Sequence, residues 1–64
     1  MVAQKNETLV KRREEQALTQ VEVAKRAGVT ERSYQKYEAG EQTPSVRIAK
    51  QIAKALNTTV EALF

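Results

Sequence analysis

The sequence predicts an all-α domain of five short helices, and three observations carry that prediction. Helix breakers are confined to three points, because Gly28 and Gly40 are the only glycines and Pro44 is the only proline. Residues that start helices recur along the chain, at Thr19, Thr30, Ser45 and Thr59. Apolar residues recur three and four apart, as one buried helical face requires, and no stretch reads as a strand, a repeat or a linker.

The first helix is expected from about Asn6 to Gln16, a run of good helix formers carrying Leu9 and Val10. Leu18 then leads into Thr19, which has Glu22 three residues later, the capping-box pattern. A second helix therefore starts at Gln20 and stops at about Ala27, where Gly28 can take positive φ. Thr30 opens a third helix, Glu31 to Ala39, with Ser33 where a capping box would want Glu, and Gly40 closes it. Pro44-Ser45 precedes a fourth, whose Val46, Ala49, Ile52, Ala53 and Leu56 mark one buried stripe. Asn57 can close that helix in the left-handed region, and Thr59 caps a last short one bearing Val60, Leu63 and Phe64.

A chain of 64 residues is read as one domain, residues 1–64. At this size it buries only about 60% of the surface of its unfolded form, so an elaborate catalytic cleft is not expected. With 41% hydrophobic and 30% charged residues, the composition is that of a folded domain and not of a disordered tail. The absence of Cys and His argues against a disulfide, a metal site or an enzyme, and no cofactor is expected. No apolar run is long enough for a bilayer, and Met1 to Asn6 lacks the apolar segment of a secretion signal, so the expected setting is cytoplasmic, with no membrane partner. The net charge of +3 favours polyanions only mildly, so the placement of the bases matters more than their number.

The informative stretch is Gln20 to Ala39. Two short helices joined by so few residues cannot lie antiparallel and must cross steeply, as in a helix-turn-helix. Small Ala24 admits the partner helix and Gly28 takes the turn, while Val23, Ala27, Val29, Tyr34 and Tyr37 can fill the wedge. A glycine there also tolerates a β-branched residue poorly, and Gly28→Val is expected to cost more than Gly40→Val. At about 100° per residue, Tyr34 and Tyr37 share one side of the third helix. The opposite side is centred on Arg32 and Ala39 and flanked by Glu31, Gln35 and Lys36, so it is almost wholly polar. The spacing of the two tyrosines suits a core stripe better than a platform for stacking bases.

The run Leu18-Thr19-Gln20-Val21-Glu22-Val23-Ala24-Lys25-Arg26-Ala27-Gly28-Val29-Thr30, followed by Tyr37-Glu38-Ala39-Gly40 and Thr43-Pro44-Ser45, resembles the phage-repressor and Cro-like (XRE-type) helix-turn-helix family. The resemblance implies a compact five-helix repressor-like domain that binds the major groove of double-stranded DNA as a homodimer, acting as a transcriptional repressor on an inverted repeat. An antitoxin-type autorepressor falls within the same reading. It implies that Gln20 meets phosphate and braces a neighbouring base-reading side chain. Glu31, Arg32 and Lys36 fall where the family reads base edges, with Ser33 near the backbone or a base, Thr30 beside it in the DNA-binding set, and Gln35 at the edge of the footprint. Arg32 can donate bidentately to guanine, whereas Glu31 can only accept. Gln42, Thr43 and Arg47 would hold phosphates, and Arg13 and Glu38 match a family ion pair tying the first helix to the third.

Three departures stand out. The loop after the third helix reads Glu41-Gln42-Thr43 where the family often has Lys or Arg, so a weaker phosphate grip is expected there, and Glu41 must point away from DNA or cost affinity. Arg12 replaces a common apolar residue and Ala17 a common Gly, so the first helix is expected to pack or end differently. The competing reading is a helical protein-interaction module, for which Val60, Leu63 and Phe64 would have to form an exposed apolar groove.

Overall fold

A computed structural model describes residues 4–64. Met1 to Ala3, which belong to the segment read above for a secretion signal, lie outside the described residues. The helices are α1 (Glu7–Glu15), α2 (Gln20–Ala27), α3 (Glu31–Ala39), α4 (Val46–Ala55) and α5 (Val60–Leu63), with no strand among the described residues.

Each helix starts on a side-chain cap, because its first N–H groups have no partner within the helix. Asn6 Oδ1 accepts from the N–H of Leu9 at 3.0 Å, Thr30 Oγ1 from Ser33 at 3.1 Å, and Ser45 Oγ from Ile48 at 3.2 Å. At α2 the box is reciprocal: Thr19 Oγ1 accepts from the Glu22 N–H at 3.1 Å, and Glu22 Oε1 accepts from the Thr19 N–H at 2.9 Å. The Thr19 backbone N–H, with the Thr19 hydroxyl beside it, holds the Glu22 carboxylate below its usual pKa.

Four helices end on one turn, in which a left-handed residue and its successor donate back to the third-last and fourth-last carbonyls of the helix region. The left-handed residues are Ala17 (φ 56°), Gly28 (φ 76°), Gly40 (φ 75°) and Asn57 (φ 57°). After α1, Ala17 N–H donates to Glu14 at 2.9 Å and Leu18 N–H to Arg13 at 3.2 Å. After α4, Asn57 N–H donates to Lys54 at 3.2 Å and Thr58 N–H to Ala53 at 2.9 Å.

At the centre is α2, packed on α3 and α4, while α1 spans α3 and α5. Val23, Ala24 and Ala27 meet Tyr34 and Tyr37 of α3 and Ile52, Ala53 and Leu56, and Leu9 and Leu63 close the core. Ala24 and Ala27 leave room for the crossing that the sequence requires. Burial takes both tyrosine rings out of reach of a nucleobase.

The structure corrects three expectations. Val46, assigned to the buried stripe, is 71% exposed, because it lies one residue after the cap and the buried face of α4 begins at Ala49. Val60, Leu63 and Phe64, expected to finish the core, divide instead between core and surface, with Leu63 buried and Phe64 44% exposed. The ranking of the glycines also reverses. A Cβ on Gly28 would meet nothing within 4 Å, whereas one on Gly40 would overlap the carbonyl of Gln4.

Arg12 explains how a charged residue fits where an apolar one is common. Its Nε donates to the Leu56 carbonyl at 2.9 Å and its Nη2 to that of Asn57 at 2.7 Å, so its guanidinium satisfies the end of α4.

Candidate nucleic-acid interface

With Tyr34, Tyr37 and Glu38 buried, the remaining residues of α3 point outward. Glu31, Arg32 and Gln35 are exposed, and Ser33, Lys36 and Ala39 half-buried. Arg32, Gln35, Lys36 and Ala39 line a shallow concavity of about 270 Å³ together with Glu41. The acid that was to point away from DNA thus shares a rim with Arg32 and Lys36.

Gln20, in the first turn of α2, meets α3 at a second depression, of about 450 Å³, that also takes in Gln35, Arg13, Glu38 and Lys5. Lys5 precedes the first cap and belongs to no periodic pattern, so nothing in the sequence marks it. Thr30 spends its hydroxyl locally, accepting from the Ser33 N–H and donating to Ser33 Oγ at 3.1 Å. Gln42 and Thr43 lie apart from Arg32, around a hollow shared with Gln4, Lys5, Pro44 and Phe64. Arg47 is exposed in the first turn of α4, near neither set in any hydrogen bond or ion pair among the described residues.

Beneath the face, Arg13 Nε donates to Glu38 Oε2 at 2.6 Å and its Nη1 to the Leu18 carbonyl at 2.9 Å. Gln20 Nε2 donates to Glu38 Oε1 at 3.0 Å. Burial pushes the Glu38 carboxyl up, but Arg13 first, then the adjacent Tyr34 hydroxyl and Gln20, outweigh it and hold the group below the usual carboxylate range. The hydrogen bond to Glu38 in turn raises the pKa of Arg13. Burial pushes the neighbouring Tyr34 phenol up, and its hydroxyl, wholly enclosed, has no hydrogen-bond partner of acceptable geometry. Gln35 Nε2 lies 3.5 Å from Gln20 Oε1 and 3.3 Å from Glu31 Oε2, so the buried pair is linked to the outer face. No cluster of metal-ligating side chains exists among the described residues, and no helix there is long and apolar enough to cross a membrane.

A short helix held across another by a glycine turn, with one polar face outward, defines a helix-turn-helix domain. The helix-turn-helix family profile matches residues 9–63, and the chain belongs to the XRE-type helix-turn-helix family, whose members are DNA-binding regulators.

Solved structures share the fold. The restriction-modification controller protein C.AhdI from Aeromonas hydrophila is similar with a TM-score of 0.85 at 24% identity, over 92% of this chain and 89% of that one. The clp gene regulator ClgR from C. glutamicum is similar with a TM-score of 0.80 at 21% identity, over 91% and 75% of the two chains. FeII HppE, in a crystal structure with its substrate, is similar with a TM-score of 0.80 at 29% identity, over 91% of this chain. The match spans only 34% of the HppE chain, so it carries no activity across. No curated protein sequence matches.

Proposed function

We propose that this protein is a cytoplasmic transcriptional repressor that reads double-stranded DNA through α3 and binds an inverted-repeat operator as a homodimer. The observation that carries this reading is the division of α3: its tyrosines are buried, and Glu31, Arg32, Gln35 and Lys36 lie together on one outward face. Arg32 offers guanine a bidentate donor, and Lys36 a single one. Glu31 accepts from cytosine N4 or turns phosphate away at wrong sites. Gln20, Thr43 and Arg47 take backbone phosphates, with Ser33, Thr30 and Gln42 at the margin.

One such module buries about 600–1,000 Å² on DNA, so useful specificity calls for two copies on half-sites roughly one helical turn apart. Phe64, apolar and 44% exposed, is the side chain we assign to the contact between copies.

Selection of bound duplexes from a random pool tests the reading, with a two-fold symmetric motif as the expected outcome. Arg32→Ala should then relax the base choice at one position per half-site at a cost of about 1–3 kcal/mol. Arg47→Ala should weaken all sequences alike and flatten the plot of log affinity against log salt by about 0.9. Unchanged base preferences in Arg32→Ala would remove α3 from the role of reading helix. A single subunit on full-length operator in sedimentation experiments would remove the dimer.

A further inference from the structure

The hydrogen bonds that join Glu38 to the outer face of α3 run in one direction. Glu38 is buried and ion-paired with Arg13, and a carboxylate in that state offers only lone pairs. Gln20 must therefore turn its NH2 group toward Glu38, and its Nε2 does lie 3.0 Å from Glu38 Oε1. The Gln20 carbonyl oxygen is left facing Gln35, whose own NH2 group must turn inward to meet it at 3.5 Å.

Glu31, one turn earlier on α3, claims the second hydrogen of that NH2 group at 3.3 Å. A reversed Gln35 carboxamide would set its oxygen against the Gln20 oxygen and the Glu31 carboxylate, with no hydrogen among the three. Both hydrogens of Gln35 are thus committed, and the polar atom left over on this exposed side chain is Oε1.

We propose that the Arg13–Glu38 pair, acting through Gln20, sets the polarity of Gln35 so that it meets DNA as an acceptor only and selects a base with an exocyclic amino group, cytosine or adenine. An unconstrained glutamine prefers adenine because it pairs its oxygen with N6 and its NH2 group with N7. Gln35 has no hydrogen left for N7, so cytosine N4 serves it as well as adenine N6. Guanine and thymine present only acceptors at the corresponding major-groove atoms and are rejected. Glu38 touches no base and is a positioning residue. The inference rests on α3 being the reading helix and adds the class of base at one position.

The test uses duplex selection with the full chain as wild type, Gln35→Ala and Gln20→Ala. The position that loses its preference in Gln35→Ala is the one Gln35 reads, and wild type should select cytosine or adenine there. Replacing that base with an analogue lacking the amino group, purine for adenine or 2-pyrimidinone for cytosine, should weaken wild-type binding about fivefold. The same replacement should leave Gln35→Ala unaffected. In Gln20→Ala, Gln35 regains a free hydrogen, and guanine or thymine becomes tolerated at that position while the position read by Arg32 stays as it was. Glu38→Gln should act in the same sense, and Gln20→Ala carries the test if that variant does not fold. Wild-type preference for guanine or thymine at this position, no position sensitive to Gln35→Ala, an analogue that binds as well as the natural base, or unaltered preference in Gln20→Ala would overturn the relay and leave α3 as the reading helix. Recovery of no motif would overturn both.

Discussion

Ala17 holds a backbone conformation that L-residues avoid, and glycine at this position should make the protein more stable. Its φ of 56° is required by the closing turn of α1, where its N–H and that of Leu18 satisfy the last carbonyls of the helix. Left-handed backbone costs a residue with a Cβ about 1–2 kcal/mol, and glycine does not pay that cost. Glycine also gains freedom in the unfolded chain, which takes back about 0.5–1 kcal/mol. Because Ala17 is exposed, removing its methyl group loses little packing. The net gain for Ala17→Gly is therefore about 0.5–1 kcal/mol, or about 4–7 °C in Tm for a domain of this size. Gly28→Ala is the reciprocal change, at φ 76° with nothing within 4 Å of the added carbon, and should lose a similar amount. Thermal and urea unfolding followed by circular dichroism would measure both. If Ala17→Gly lowered Tm, the left-handed turn at the end of α1 would be wrong.

Three further outcomes follow from the packing. Gly40→Ala should destabilise more than Gly28→Ala, because it adds displacement of the Gln4 segment to the same conformational cost; equal urea midpoints would show that the segment gives way freely. Arg12→Met should cost about 1–2 kcal/mol through the two carbonyls it leaves at the end of α4, and wild-type stability would mean that water replaces the guanidinium without loss. Glu38 has a folded pKa below its ordinary value of 4.5, so its contribution is present above that value and fades as pH falls through the lower folded one. Urea midpoints should therefore drop on acidification below about pH 4.5 in wild type and less steeply in Glu38→Gln; parallel profiles would assign the acid sensitivity elsewhere.

Much of the fold was legible in the sequence because its signals are local. Thr19, Thr30, Ser45 and Thr59 each cap the helix that their position announced, and Gly28 and Asn57 take the left-handed conformations expected of them. What escaped depends on partners far away in the chain. Ala17 stands where the family often has Gly, which points to a different end for the first helix, yet the left-handed turn is kept with alanine in it, because α1 and Leu18 together impose it. Arg12 reads as a surface charge until α4 ends against it, 44 residues later. Gly40 looks like any helix stop until Gln4 is laid across it. Val46 satisfied the apolar spacing, but periodicity cannot say where along a helix packing begins.

On the candidate interface, the polar face of α3 followed from where its two tyrosines lie on a helical wheel. The position of Glu41 beside Arg32 did not, because it depends on the path of a loop. Nor did the bond from Gln20 to Glu38, which joins residues 18 apart through a side-chain choice that no spacing rule encodes.

Asn6 uses every polar group it has. Its N–H donates to the Glu38 carbonyl at 2.8 Å, its carbonyl accepts from Val10, its Oδ1 caps α1, and its Nδ2 donates to the Leu63 carbonyl at 2.9 Å. One residue thus ties together the start of α1 and the end of α5 through its side chain and the end of α3 through its backbone N–H. Displacing Asn6 breaks all of these bonds at once, so the start of α1 cannot leave without releasing the ends of α3 and α5. Terminal helices of small domains are ordinarily the first to open, independently of the interior. Here α1 and α5 are yoked to the end of α3, and amide protons in all three should exchange with solvent through a shared opening.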